Sequence, residues 1–225
     1  MSGLSTAGIP MPPDNMFNHF IRYYISLVQD GQIPSRAQIH PKDIQRILPW
    51  LSIGKYIKPR VMVPTLVGSA IDESIGTPLT GKNIFEILPS DAWAHYEYFY
   101  DTVCETPCFG RIRRSFLTPY GRYAQLCSLY APLRSNTDGE MLLLGCSSVC
   151  SMGRGNDKRC MTAGLCPVLP AQPHTEGSDL SSRELRFGKL IDVSFADFEF
   201  GQQAGQPVAE SHFTPDWTVK IPASG

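Results

Sequence analysis

Met141-Leu142-Leu143-Leu144 is an unbroken apolar run inside a short stretch, Glu140 to Val149, that follows the turn-forming residues Asn136-Thr137-Asp138-Gly139. In an extended chain successive side chains point to opposite faces, so such a run makes both faces of a strand apolar. A strand of that kind belongs in the interior of a sheet, with something packed over each face. The rest of the chain must therefore supply neighbouring strands and two covering layers.

The neighbours are legible upstream. Cys108 to Leu117 and Arg122 to Leu133 read as strands joined through Pro119-Tyr120-Gly121, and with Glu140 to Val149 they form consecutive antiparallel strands. Two earlier strand-like runs, Leu51 to Ile57 and Val61 to Ile71, flank a turn at Pro59-Arg60. Pro64 lacks a backbone donor and assigns the early part of the second run to a sheet edge or a bulge. Short helical pieces are predicted at Ile71 to Ile75 and Lys82 to Leu88. A longer helix follows from Ser90 or Asp91 to Glu105, with Trp93, Tyr96, Tyr100 and Val103 on one side. It can cover one face of the sheet.

The second covering layer has a candidate at the other end of the chain. After a Ser-, Gly- and Pro-rich leader, residues 1–13, a helix is predicted over 14–32, capped by Asp14 and stopped by Gly31. Phe17, Phe20, Ile21, Tyr24, Leu27 and Val28 form its apolar stripe, which must pack on its own sheet or on a second subunit. Pro41 suits the start of a short helix through Ile44 and Leu48, with Pro49 as its end. Past residue 150 the pattern fades. Residues 151–225 read as linker and tail, mostly irregular. A possible short element at 185–200, where Ile191, Val193 and Phe195 alternate with Asp192 and Ser194, is an added edge strand or a partner-binding segment.

Charge narrows the function classes. Lys plus Arg is 20 against 21 Asp plus Glu, a net charge of -1, which is the wrong balance for a chain that mainly neutralises nucleic-acid phosphates. Arg111, Arg113 and Arg114 are expected to be a solvated strand face. No stretch reads as an export signal or membrane span, and seven cysteines, an odd number, suit reduced thiols; a cytoplasmic location is expected.

The order of elements, and short motifs along it, carry a resemblance. Ile33-Pro34-Ser35-Arg36-Ala37-Gln38-Ile39-His40-Pro41, Asp43-Ile44 with Leu48-Pro49, Leu66-Val67-Gly68-Ser69, Leu79-Thr80-Gly81-Lys82, Gly121-Arg122-Tyr123 and Leu142-Leu143-Leu144-Gly145 occur in order between Ile33 and Val149. This pattern resembles the single-domain PAS proteins of the branch common in alphaproteobacteria. The chain departs from that pattern at His40, where the family usually has an acidic residue, and at Pro64. The resemblance implies an α+β domain over 33–150: a five-stranded antiparallel sheet with helices on one face, preceded by an amphipathic helix and followed by a poorly ordered tail. It also implies a sensor or interaction module, often a homodimer through its N-terminal helix.

Weighed residue by residue, a catalytic role finds no support. There is no Gly-x-Ser-x-Gly elbow, no phosphate-cradling loop with Lys and no His-Glu-x-x-His, so no catalytic residues and no enzyme activity are expected. Cys104 with Cys108, Cys146 with Cys150, and then Cys160 and Cys166 lack the close pairing of zinc knuckles, so no metal is expected. His95 lies beside the Trp93–Tyr96 stripe and suits the surface better than a haem. No cofactor is expected, although an unidentified small molecule has a natural place between sheet and helices. Candidate pocket residues are Trp93, Tyr96, Tyr100, Cys127 and Tyr130, with Ser69 and Arg113 as polar groups; the bland alternative is a filled core. In a filled core Trp93→Ala would cost ~3–5 kcal/mol.

Candidate interaction residues are Phe17, Phe20, Tyr24 and Leu27, toward an unknown regulatory or signalling protein or a second copy of the chain. No kinase, cyclase or helix-turn-helix pattern follows Val149, so a signal is expected to leave through protein contacts. The expectation is thus a sensory or regulatory module acting through a small ligand, protein contacts or both. The alternatives are a ligand-free dimerisation or scaffold module and, further off, a metal- or haem-dependent enzyme.

Overall fold

Strand β5 (Met141–Ser151) runs between β1 (Leu51–Ile57) and β4 (Tyr123–Arg134), antiparallel to both, in the computed structural model. With β2 (Val61–Val67), β3 (Cys108–Leu117) and β6 (Phe187–Asp197) these strands form one sheet in the order β2-β1-β5-β4-β3-β6. The structure describes residues 12–117, 123–136, 140–151 and 187–197. Residues 1–11, 118–122, 137–139, 152–186 with Cys160 and Cys166, and 198–225 lie outside the described residues.

Four α-helices join the sheet among the described residues. They are α1 (Met16–Leu27), α2 (Ser69–Ile75), α3 (Ile84–Ile87) and α4 (Trp93–Glu105). Each face of the sheet has its own apolar core. On one, Tyr56, Met62, Ile112, Phe116, Leu126 and Leu143 meet side chains from α2, α3 and α4. On the other, Phe20, Ile21 and Tyr24 of α1 pack over Leu51, Ile53, Phe109, Leu129, Leu142 and Leu144. The run at 141–144 divides between the two, Leu143 facing α2–α4 while Leu142 and Leu144 face α1. This is the sheltered central strand expected from the sequence.

Helix α1 of the same chain, and not a partner's copy, covers the second face. Phe20 and Tyr24 are fully buried and meet the edge of Phe109 at centroid distances of 6.4 and 5.3 Å. The Tyr24 hydroxyl donates to the Pro132 carbonyl at 2.7 Å, fixing the helix across the sheet. Burial of each large apolar side chain here is worth about 1.5–3 kcal/mol, more than an isolated 12-residue helix can supply from its own backbone. The proposed interaction surface is corrected accordingly: Phe20 and Tyr24 belong to the chain's own core, whereas Phe17 and Leu27 remain half-buried at its rim.

Several boundaries differ from expectation for local reasons. Asp14 does not cap α1; Asn15 precedes the helix in a left-handed conformation and makes no side-chain cap. The helix ends at Leu27, before Gly31, because Asp30 and Gly31, both at positive φ, form a tight turn in which the Gln32 N–H donates to the Gln29 carbonyl. The predicted short helix after Pro41 divides into two 3-10 turns, Pro41–Ile44 and Leu48–Trp50, and Pro49 opens the second where it was expected to close the first. Strand β2 stops at Val67 because the chain turns into α2 at Gly68. Pro64 sits where its missing donor is tolerated. It lies on the outer strand, opposite a register shift at Ile53–Gly54, and its carbonyl accepts the Gly81 N–H at 2.8 Å.

The sheet gains a sixth strand beyond the five expected. The backbone of β6 pairs antiparallel with β3, from Cys108 opposite Asp197 to Phe116 opposite Phe187. Of the two readings of residues 185–200, the structure has the added edge strand. Among the described residues no helix is long and apolar enough to cross a membrane.

Candidate ligand site

Helix α4 carries its apolar face at Tyr96, Phe99, Tyr100 and Val103, an i, i+3, i+4, i+7 set lying against β3 and β4. Tyr100 is at the centre. Its ring lies 5.2 Å from Tyr56, 5.4 Å from Phe99, 5.9 Å from Tyr130 and 6.1 Å from Phe85. Tyr130 can lie over the sheet because its cross-strand neighbour is Gly145. A Cβ at Gly145 would meet the Tyr130 ring at 2.7 Å and the Ser52 hydroxyl at 2.5 Å.

Arg114 stands among these tyrosines. It is 5% exposed on the helix-side face of β3, next to Ile112 and Phe116, with its guanidinium 5.9 Å from the centroid of the Tyr96 ring. It hydrogen-bonds to the side chains of Tyr96 and Tyr130, while its Nε and Nη1 atoms are buried and make no hydrogen bond among the described residues. Burial by itself would pull the guanidinium's pKa down, but the surrounding hydroxyls of Tyr96, Tyr130 and Tyr100 outweigh that and the net direction is upward. Burial also pushes Tyr96 and Tyr100 above the ordinary tyrosine range.

A cavity of about 30 Å³ opens beside it. Its sheet-side wall carries Ser52, Met62, Val67, Arg114, Leu126, Tyr130 and Ser147; Ile71, Ile75, Leu79 and Ile84 close the other side. Ser147 is tied to Ser128 through hydroxyl oxygens 2.8 Å apart. Asn83 fixes α3 against the cavity's margin, its side-chain oxygen accepting from the Met62 N–H at 3.0 Å and the Phe85 N–H at 3.3 Å. Arg60 meets Glu97 at 2.9 Å and spreads over the Trp93 ring, and Lys58 meets Asp101 and Glu105.

Of the seven residues nominated from sequence, Tyr96, Tyr100 and Tyr130 come together around Arg114. Trp93 is half-buried at the margin, its indole N–H donating to the Leu88 carbonyl at 3.2 Å. Ser69 is exposed at the start of α2 and does not reach the cavity. Arg113 and Cys127 are corrected: strand alternation sends both to the α1 side, where they stand opposite one another across β3 and β4. Arg111, Arg113 and Arg114 are all buried, so the expected solvated face is also corrected. Sequence reasoning missed Arg114 and Phe99. The signal was present for both, since Arg114 alternates with Ile112 and Phe116, and Phe99 completes the helical spacing of Tyr96 and Val103.

His95 is exposed on α4. Cys104, Cys108, Cys127 and Cys146 remain thiols, and burial, with Asp101 and Glu105 nearby, pushes Cys104 up to about 12. Among the described residues no three His, Cys, Asp or Glu side chains gather as a metal site.

The buried hydroxyls and thiols give an alkaline prediction. Tyr24, Tyr56, Tyr96 and Tyr100 are raised chiefly by burial, so the folded state holds their protons more tightly than the unfolded chain. Their contribution to stability is complete below the unfolded value near ~10 and is lost as pH rises above it. Cys104 adds a loss beginning near 9.0 and running to about 12. The urea midpoint is expected to fall from pH 8 to pH 11; an unchanged midpoint would contradict the burial of these groups.

An antiparallel sheet with helices packed on it and a small cavity between them makes this an α+β module. Comparison with family descriptions is specific: residues 15–148 match the PAS domain, more than half of the 225-residue chain. The chain belongs to the PAS domain family. No curated protein matches it.

Proposed function

We propose that this chain is a sensory or regulatory PAS module, not an enzyme, that takes up a small molecule between its sheet and α2–α4 and transmits the event through protein contacts. The observation that carries this reading is the convergence of Tyr96, Tyr100, Tyr130 and Arg114 beside a cavity at the sheet–helix interface. The order of motifs from Ile33 to Val149 supports a place in the single-domain branch common in alphaproteobacteria. Thiols at all four described cysteines suit a cytoplasmic setting.

Thermal denaturation of the full chain with and without a small-molecule extract of cells tests the uptake. A ligand that binds only the folded state raises the midpoint in proportion to its concentration over its dissociation constant. Binding is expected to raise it. No shift with any fraction, together with a response only to a partner protein, would favour the second reading, a ligand-free dimerisation module working through the half-buried rim of α1 at Phe17 and Leu27.

A further inference from the structure

We infer that the cavity's ligand is a small uncharged molecule with an apolar body and one hydroxyl or carbonyl group, and that Met62 is the wall that yields to admit it. This inference rests on the ligand-uptake reading above and adds the ligand's class and the residue that sets its size. The class follows from what the lining leaves to a guest. Ile71, Ile75, Leu79 and Ile84 form one wall, and Met62 and Leu126 stand among the sheet residues opposite. A charged guest would exchange water for these aliphatic surfaces at a large desolvation cost. The polar side chains of the lining are engaged within the protein: Arg114 hydrogen-bonds to Tyr96 and Tyr130, and Ser147 to Ser128. A hydroxyl such as that of Ser52 or Ser147 both donates and accepts, so it can serve one further neutral polar group.

Size decides how such a guest fits. A volume of about 30 Å³ corresponds to roughly two waters, since a single water needs at least ~10–15 Å³ on the same measure. A guest of about three non-hydrogen atoms is held no more tightly than about millimolar, given the ceiling on binding free energy per atom. A signal molecule that binds more tightly must therefore widen the cavity.

Met62 is the lining side chain best built to give way. Val67, Ile71, Ile75 and Ile84 are β-branched and stiff at their first torsion, whereas a methionine is unbranched and turns about three bonds. Its thioether reaches over Gly54, where an added Cβ would stand 2.6 Å from the Met62 Cε and 3.3 Å from its Sδ. The Met62 N–H donates to the Asn83 side-chain oxygen at 3.0 Å, so the strand stays in place while the side chain turns. Strand β2 is the outermost on its side of the sheet, which leaves the thioether an edge to turn toward.

The test is a thermal-shift titration of the full chain at pH 7 and constant ionic strength with propan-1-ol, cyclopentanol and phenol, against propionate and benzoate as charged counterparts. The uncharged probes are expected to raise the midpoint saturably and the carboxylates to leave it unchanged. Met62→Ala removes the need to displace the thioether and should tighten binding of the two ring probes about tenfold. Met62→Leu, close in volume but branched, should bind the rings several-fold more weakly than wild type does. Equal shifts by uncharged and charged probes would overturn the class; ring affinities unchanged in both variants would overturn the role of Met62. The wild-type comparison stands even if Met62→Ala does not fold. If cell extract raises the midpoint and no uncharged probe does, ligand uptake stands and this class falls; if neither does, both fall.

Discussion

Tyr100→Ala is expected to destabilise the chain by ~3–5 kcal/mol, the range for removing a large aromatic ring from a closed core. The side chain is 0% exposed and touches Tyr56, Phe85, Tyr96, Phe99 and Tyr130, so no neighbour can collapse into its place without leaving its own ring contacts. Each aromatic pair adds about 0.5–1.5 kcal/mol beyond burial. Tyr100→Phe keeps the ring and removes only the hydroxyl that hydrogen-bonds to Tyr130, and should cost about 1–3 kcal/mol. Urea unfolding of the pair checks both. Trp93, which the helical spacing nominates for the same role, is half-buried under Arg60, and its truncation should fall below the ~3–5 kcal/mol of a full core position. A Trp93 variant costing more than Tyr100→Ala would mean that the centre of the core is misplaced.

Gly68→Ala is the second large effect, and its cause is backbone against backbone. The N–H of Gly68 donates to the Leu51 carbonyl at 2.8 Å, which holds the start of α2 against the end of the Leu48–Trp50 turn. A Cβ there would stand 2.2 Å from the Pro49 carbonyl oxygen and 2.4 Å from its carbon. Its φ of -70° is open to any residue, so the requirement is space and not conformational freedom. Neither wall is a flexible side chain that can swing aside. Overpacking commonly costs 1–3 kcal/mol, and this substitution should reach about 3 kcal/mol or more, because relief requires moving α2 away from the Leu48–Trp50 turn. Gly81→Ala is the control. It has positive φ but nothing within 4 Å of an added Cβ, and should cost only the backbone term of about 1 kcal/mol. Equal losses at the two sites would remove the packing explanation for Gly68.

What the sequence discloses follows from where its alternation is unambiguous. The limits of Leu51–Ile57 and Cys108–Leu117 are readable because prolines stand close before both, and the apolar 141–144 run locates the centre of the sheet. Tyr96 and Tyr100 follow from the spacing of α4. The polar wall does not, because parity on a strand is decided by anchors two residues away and not by proximity. Cys127 and Tyr130 are three apart and so point to opposite faces; Arg113 and Arg114 are adjacent, and only Ile112 and Phe116 tell which one turns inward. Ser52 and Ser147 give no sequence signal as pocket residues, since their meeting depends on the β1–β5–β4 order and not on any local pattern.

Native mass spectrometry of gently purified full-length protein is the most direct measurement of whether this cavity receives a signal molecule. The expected spectrum shows the chain carrying a small-molecule adduct that leaves on denaturation and is absent from Arg114→Met. A bare chain under every gentle preparation, or an adduct retained equally without the arginine, would contradict a ligand site beside Arg114.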